Sequence, residues 1–304
     1  MSHPKLQQLI ERAAILRPMP AAIVYPCSAT ALEAVDLARA QNLLTPILLG
    51  PKGKIEAEAE RIGFDLAGVE IRDTGEDPIA AAERGVQLCR DGVVSYLVKG
   101  SLHSDELLGV VVQRESGLRS SRRVTHAFVF DAPDYDKLLL MADCVINIMP
   151  DLAMKRDIVQ NAVDLARTLG VVRPEVAVLA AVEVVNPGMP ATIDAAALSK
   201  MAERGQIQNA HVDGPLAFDV AISPAAATIK GLGSRNAPDI LIVPNIDAGN
   251  MLYKQMIYFG KAECAGVVLG AKVPIVLTSR ADSATTRVAS CALARLMIET
   301  RTLA

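Results

Sequence analysis

The stretch VPIVLTSRADSATTRVAS, residues 273–290, carries an apolar run into Ser279, Arg280, Ala281, Asp282 and Ser283. These side chains suit an anion and a proton. A guanidinium forks onto an anion's oxygens, hydroxyls donate to it, and a carboxylate accepts a proton. The alternative is a helix start with Asp282 or Ser283 as N-cap. Three further polar turns follow apolar runs: Lys99-Gly100-Ser101-Leu102-His103-Ser104, residues 186–192 and residues 244–250. Singly, each reads as a cap, with Ser104 ahead of Asp105 and Glu106, and Asn250 capping its own helix. On one sheet edge they would form an anion site, since helix N-termini and glycines let a ligand approach backbone N–H groups.

The elements that must hold these turns alternate. Apolar runs at 21–26, 45–50, 93–98, 124–130, 144–149, 175–185, 238–243, 266–270 and 274–279 alternate with segments of helical periodicity. Continuous Val/Ile/Leu runs mark strands buried on both faces, and helices between them make the sheets mostly parallel. In such sheets ligands bind beyond the carboxyl ends of the strands, which is where the polar turns fall. The expected fold class is therefore α/β, as two domains: 1–137, and 138–287 carrying most of the motifs. The helix at 288–304 packs back on the first.

Composition narrows the function. The 304 residues are 51% hydrophobic and 3% aromatic with no Trp, and the net charge of −3 comes from 31 basic and 34 acidic residues. Neither a nucleic-acid surface nor base-stacking platforms are expected, so the partners are small molecules. Five separated cysteines form no CxxC or Cys/His cluster, which suggests free thiols in a reducing cytoplasm and no metal. MSHPKLQQLIERAA reads as an amphipathic helix, not a signal peptide, and no run is long enough to span a membrane. No GxGxxG is followed by an acidic residue at the dinucleotide spacing, no Walker A sequence occurs, and GLGSRN (231–236) lacks a clear preceding strand.

Five stretches taken together, KGSLHSDELL, MADCVINIMPDL, VDGPLAFDVAIS, PNIDAGNMLYKQ and VLTSRADS, resemble the phosphate acetyltransferase/phosphate butyryltransferase family, most strongly from Leu138 to Arg295. SRADS is similar to the butyryltransferase branch. The resemblance implies a homodimer of two-domain subunits with an interdomain cleft and an isocitrate/isopropylmalate dehydrogenase-like fold. It implies reversible transfer of a short acyl group between coenzyme A and phosphate, by direct thiol attack in a ternary complex. CoA is then a substrate, with no tightly bound cofactor.

Carried onto this sequence, Ser279, Arg280 and Asp282 are the catalytic candidates. Ser283, Gly100, Ser101, Ser104, Asp247, Asn250 and Lys254 are the phosphate- or CoA-binding candidates. Acetyl-specific members place an Asp base seven positions beyond the serine, where this chain has Thr286, and Asn245 stands where many of them have Asp. The base is therefore Asp282 or Asp247, or the site only lowers the thiol pKa. Asp213 and Asp219 either shape the cleft or take part in the site. Arg119, Arg122 and Arg123 read as a solvated charge run, and His103 and His126 as structural. The rival readings are a metal- and NAD-dependent hydroxyacid dehydrogenase, an acyltransferase of lipid synthesis, and a non-catalytic CoA- or acyl-phosphate-binding regulator.

Overall fold

The computed structural model describes residues 3–114, 117–232, 236–279 and 282–303. The chain begins with α1 (Pro4–Ala14), which buries Leu6, Leu9, Ile10 and Ala13, the i, i+3, i+4, i+7 stripe of an amphipathic helix. Alternation follows: β1 (Met19–Val24), α2 (Ala29–Ala40), β2 (Leu44–Gly50), α3 (Lys52–Ile62), β3 (Glu70–Asp73), α4 (Pro78–Arg90), β4 (Tyr96–Lys99) and α5 (Ser104–Val111). Next come β5 (Thr125–Asp131), β6 (Leu139–Ala142), α6 (Leu152–Thr168), β7 (Glu175–Leu179), α7 (Pro190–Glu203) and β8 (His211–Leu216). The short helices α8 (Phe218–Ile222) and α9 (Pro224–Ile229) precede β9 (Ile240–Ile242) and α10 (Ile246–Tyr258). The chain closes with β10 (Glu263–Leu269), β11 (Ile275–Val276) and α11 (Ala284–Leu303).

Two compact units result: a split unit, residues 4–124 with 264–304, and a central unit, residues 125–263 with 1–3. The split unit orders its strands β3-β2-β1-β4-β11-β10, all parallel except β10. The central unit orders its strands β5-β6-β9-β7-β8, parallel except for β5. The units join at 124/125 and 263/264, whereas the sequence reading joined them at 137/138 and 287/288. Pairing is the physical reason: β5 lies antiparallel on β6, Phe128 opposite Met141, while β11 pairs with β4, Ile275 opposite Leu97. Every residue of β4 is buried, as a strand covered on both faces requires. The terminal helix α11 packs on α1 and α2, and the buried Arg295 donates from Nε to the Arg17 carbonyl at 2.8 Å.

Two apolar runs resolve differently from their reading as sequence, and two strands lie outside the apolar runs. CVINIM (144–149) is a loop, and the strand is the preceding LLMA. The buried Asp143 causes this, since its carboxylate accepts the N–H groups of Val145 (2.9 Å) and Ile146 (3.0 Å) and the Asn147 amide (2.6 Å), turning the chain at once. Burial raises the Asp143 pKa and these donors oppose the rise. The run 175–185 is a strand only to Leu179. β3 (EIRD) and β8 (HVDGPL) carry too little apolar alternation to be read as strands.

Candidate active site

The carboxyl ends of β1, β4 and β11 lie side by side in the split unit, because Val24 pairs with Lys99 and Val98 with Val276. The turns after these strands therefore emerge together. Gly100 makes the tightest approach: a Cβ there would stand 2.5 Å from the Val24 carbonyl oxygen and 2.6 Å from that of Tyr25. Only glycine lets its N–H reach Val24 O at 2.9 Å and the Ser101 N–H reach Tyr25 O at 2.8 Å. Ser101 Oγ then donates to Ser28 Oγ at 2.9 Å, itself 3.4 Å from Thr30 Oγ1. Beneath them the buried Lys99 donates from Nζ to the Leu102 carbonyl at 3.1 Å.

The Ser279 turn is clasped in both directions. Asp282 Oδ2 accepts the Ser279 N–H at 2.6 Å, and the Asp282 N–H reaches back to Ser279 O at 3.2 Å. The N-cap of α11 is Ser283, whose Oγ accepts the Thr286 N–H at 3.0 Å. Asp282 is thus a turn clasp and not the helix cap. From one turn into the helix, Arg287 donates from Nη2 to Ser279 O at 3.0 Å and from Nε to Asp282 O at 3.4 Å. Ser279 and Ser283 are exposed, Asp282 half-buried. Arg280, the sequence's phosphate-binding candidate, lies with Ala281 outside the described residues.

The other cap expectations are corrected. His103, not Ser104, is the N-cap of α5, and its N–H donates to the Glu106 carboxylate at 2.6 Å. Asn245 caps α10, with its side chain accepting the Ala248 N–H at 3.0 Å, so Asn250 lies within the helix. The capping residue must precede the first helical N–H groups, and Asn245 is placed there by the strand end at Ile242. Asp247, Asn250 and Lys254 share one face of α10 in the central unit by their spacing of three and four. Asp247 and Lys254 are exposed. Gly249 faces the opposite way, where a Cβ would meet Val243 Cγ2 at 2.8 Å and Cys144 Cα at 3.0 Å.

Several other candidates have local surroundings of their own. Thr192, fully buried, closes the 186–192 turn on itself through Asn186 and Met189. Asp219 pairs with Lys230 at 3.1 Å, which holds its carboxyl below the usual range, and Lys230 also pairs with Glu183 at 2.9 Å. Asp213 accepts the Gly214 N–H at 2.8 Å within β8. His126 is fully buried, edge-on to Phe128 at 4.5 Å. Arg119, Arg122 and Arg123 are exposed. Burial pushes the thiols of Cys89 and Cys291 up to about 12 and that of half-buried Cys27 to about 11. None of these three is a thiolate near neutrality. A cavity of about 310 Å³ in the central unit runs along β8, lined by Glu175, Ala177, His211, Asp213 and Leu216 among others.

Arg287 and Ser28 escaped the sequence reading, and Lys99 entered it only as the first residue of its polar turn. Lys99 and Arg287 look like ordinary strand-end and helix-surface charges, and only burial marks them. Among the described residues no helix is long and apolar enough to cross a membrane.

Hydroxyls, a carboxylate and a glycine-permitted backbone approach, gathered at the carboxyl edge of parallel strands, define an α/β protein of the kind that handles small anions. The comparisons narrow that class. The chain belongs to the phosphate acetyl/butaryl transferase family, whose sequence profile matches residues 77–295. It is 49% identical to a phosphate acetyltransferase of Rhizobium meliloti, over 96% of this chain and 93% of that one. It is 41% identical to a phosphate butyryltransferase of Clostridium acetobutylicum, over 88% and 89%. A branched-chain phosphotransacylase from Enterococcus faecalis superposes with a TM-score of 0.79 at 30% identity, covering 92% of this chain and 99% of that one. A phosphotransacetylase from Streptococcus pyogenes shares the fold, with a TM-score of 0.82 at 20% identity, covering 99% and 100%.

Proposed function

We propose that the protein transfers a short acyl group reversibly between coenzyme A and inorganic phosphate. Towards the thioester, the CoA sulfur attacks the carbonyl carbon of the acyl phosphate. The C–S bond forms, the C–O bond to phosphate breaks, and the thiol proton leaves to solvent or to the departing phosphate. No covalent acyl-enzyme and no tightly bound cofactor take part, and CoA is a substrate. The observation that carries this reading is the clasped Ser279–Ser283 turn beside Gly100 and Ser101, in a chain of this family.

Each group has a role the chemistry requires. Holding thiol and acyl phosphate in line supplies much of the acceleration, and donors aimed at developing charge supply the rest. Ser279 donates to the carbonyl oxygen or the thiolate, and Arg280 forks onto the phosphate. Ser283, whose Oγ accepts the Thr286 N–H, carries a hydroxyl of the type that both accepts and donates and binds phosphate or CoA. Ser101 and Ser104 bind phosphate or CoA, with Gly100 contributing the close turn that places Ser101, as do Asp247, Asn250 and Lys254 on α10. Asp282 holds the turn, and its reading as the general base is the alternative that an Asn variant decides. The dehydrogenase-like arrangement with a cleft and the homodimer rest on the family resemblance, the cytoplasmic location on the separated free cysteines, and all three form part of the proposal.

The test is thiol release from acetyl-, propionyl- and butyryl-CoA, with and without phosphate. Phosphate-dependent release with at least one of them is expected. Folded protein inert towards acyl groups of two to five carbons would refute the enzyme, and CoA binding without turnover would indicate a regulator instead.

A further inference from the structure

Arg287 is a buried cation, 9% exposed. Burying a guanidinium is costly unless its N–H groups find acceptors. Two acceptors here are main-chain carbonyls of the reactive turn, Ser279 at 3.0 Å and Asp282 at 3.4 Å. Its own N–H donates to a third, Ser283 O, at 3.2 Å. One residue therefore grips the turn at its first residue and at its last two, from the helix side. The Asp282 clasp runs within the turn, and the Ser283 cap holds its last residue to the helix. Without the Arg287 guanidinium the turn would keep both but lose the side-chain tie from α11 to the Ser279 and Asp282 carbonyls, and α11 is what fixes it against the body of the split unit. The neighbouring Thr286 is also buried and engaged, its Oγ1 4.0 Å from Cys264 Sγ. The start of the helix is thereby seated and can act as a rigid base.

We propose that Arg287 is a positioning residue for acyl transfer: its guanidinium ties the Ser279 and Asp282 carbonyls to α11 and so sets where the Ser279 hydroxyl stands beside the Gly100–Ser101 turn. The inference rests on the acyl-transfer reading above. It concerns a step that needs alignment more than affinity, because a displacement of about 1 Å at the reacting groups can cost about a hundredfold in rate. A planar fork reaches two carbonyls at once, and an ammonium does not.

The experiment compares wild type, Arg287→Lys, Arg287→Gln and Arg287→Ala by steady-state kinetics in both substrates, by thermal melting, and by adding guanidinium ion at non-denaturing concentration to the Ala variant. Wild-type turnover is measured first, so a silent wild type refutes the acyl-transfer reading and not the role of Arg287. With wild type active, the Gln variant should lose about ten- to a hundredfold in kcat with KM for acyl-CoA and phosphate within about threefold. The Lys variant, which keeps charge and stem and so folds, should recover little of that loss. Guanidinium should rescue kcat of the Ala variant saturably without raising its melting temperature. A lowered melting temperature with unchanged kcat per folded molecule, or a fully active Lys variant, would overturn the proposal.

Discussion

Replacing Asp282 with asparagine separates two roles that the carboxylate could fill. In the structure its Oδ2 accepts the Ser279 N–H at 2.6 Å, a charge-assisted hydrogen bond of the kind worth about 1.5–3 kcal/mol, against about 1 kcal/mol for a neutral one. Asparagine keeps an acceptor oxygen in the same position and removes the charge, so about 1 kcal/mol is at stake. If all of it is felt in the transition state, kcat/KM falls by about fivefold. Alanine removes the clasp and should cost about ten- to a hundredfold. A general base behaves differently: its neutral isostere should lose about 10²–10⁴ in rate and the acidic limb of the pH–rate profile with it. The assay is kcat/KM for thiol release from pH 5 to 9, with melting curves to show that both variants fold. Ser283, not Asp282, caps α11, so the Asn variant should melt close to wild type. A loss of a hundredfold or more in the Asn variant, together with loss of the acidic limb, would refute the clasp assignment and make Asp282 the base.

Further outcomes are open to measurement. Arg280→Ala should lower kcat/KM by about two to three orders of magnitude, with Lys a poor substitute, and a fully active Lys variant would show that the forked geometry is irrelevant. Gly100→Ala should cost about 1–3 kcal/mol in stability, because its Cβ would stand 2.5 Å from Val24 O, and should slow turnover by displacing Ser101; a melt like wild type would disprove the close approach. Ser283→Ala removes the acceptor for the Thr286 N–H and should cost about 1 kcal/mol by denaturant titration. Cys27, its pKa raised by burial to about 11, stays protonated through neutral pH and up to about pH 10. Its alkylation at pH 8.5 should therefore be about a hundredfold slower than that of a free thiol, and labelling at the free-thiol rate would contradict that burial.

The sequence by itself determined the α/β class and the position of the polar turns after the strands. Both follow from local physics: continuous Val/Ile/Leu runs favour strands covered on two faces, and Ser, Asp, Asn and Gly gather where a chain leaves a sheet and starts a helix. Tertiary structure decided which turns meet. The Gly100 and Ser279 turns are neighbours because β4 pairs with β11 across most of the chain, and no local pattern encodes that pairing. It decided the caps as well. Ser283 rather than Asp282, His103 rather than Ser104, and Asn245 rather than Asn250 hold the helix starts, since the choice depends on where the preceding strand lets go. Burial decided the rest: Asp143 turned the apolar CVINIM run into a loop, and Arg287 lies buried against the Ser279 turn, because only a packed interior makes a charged group choose its hydrogen-bond partners.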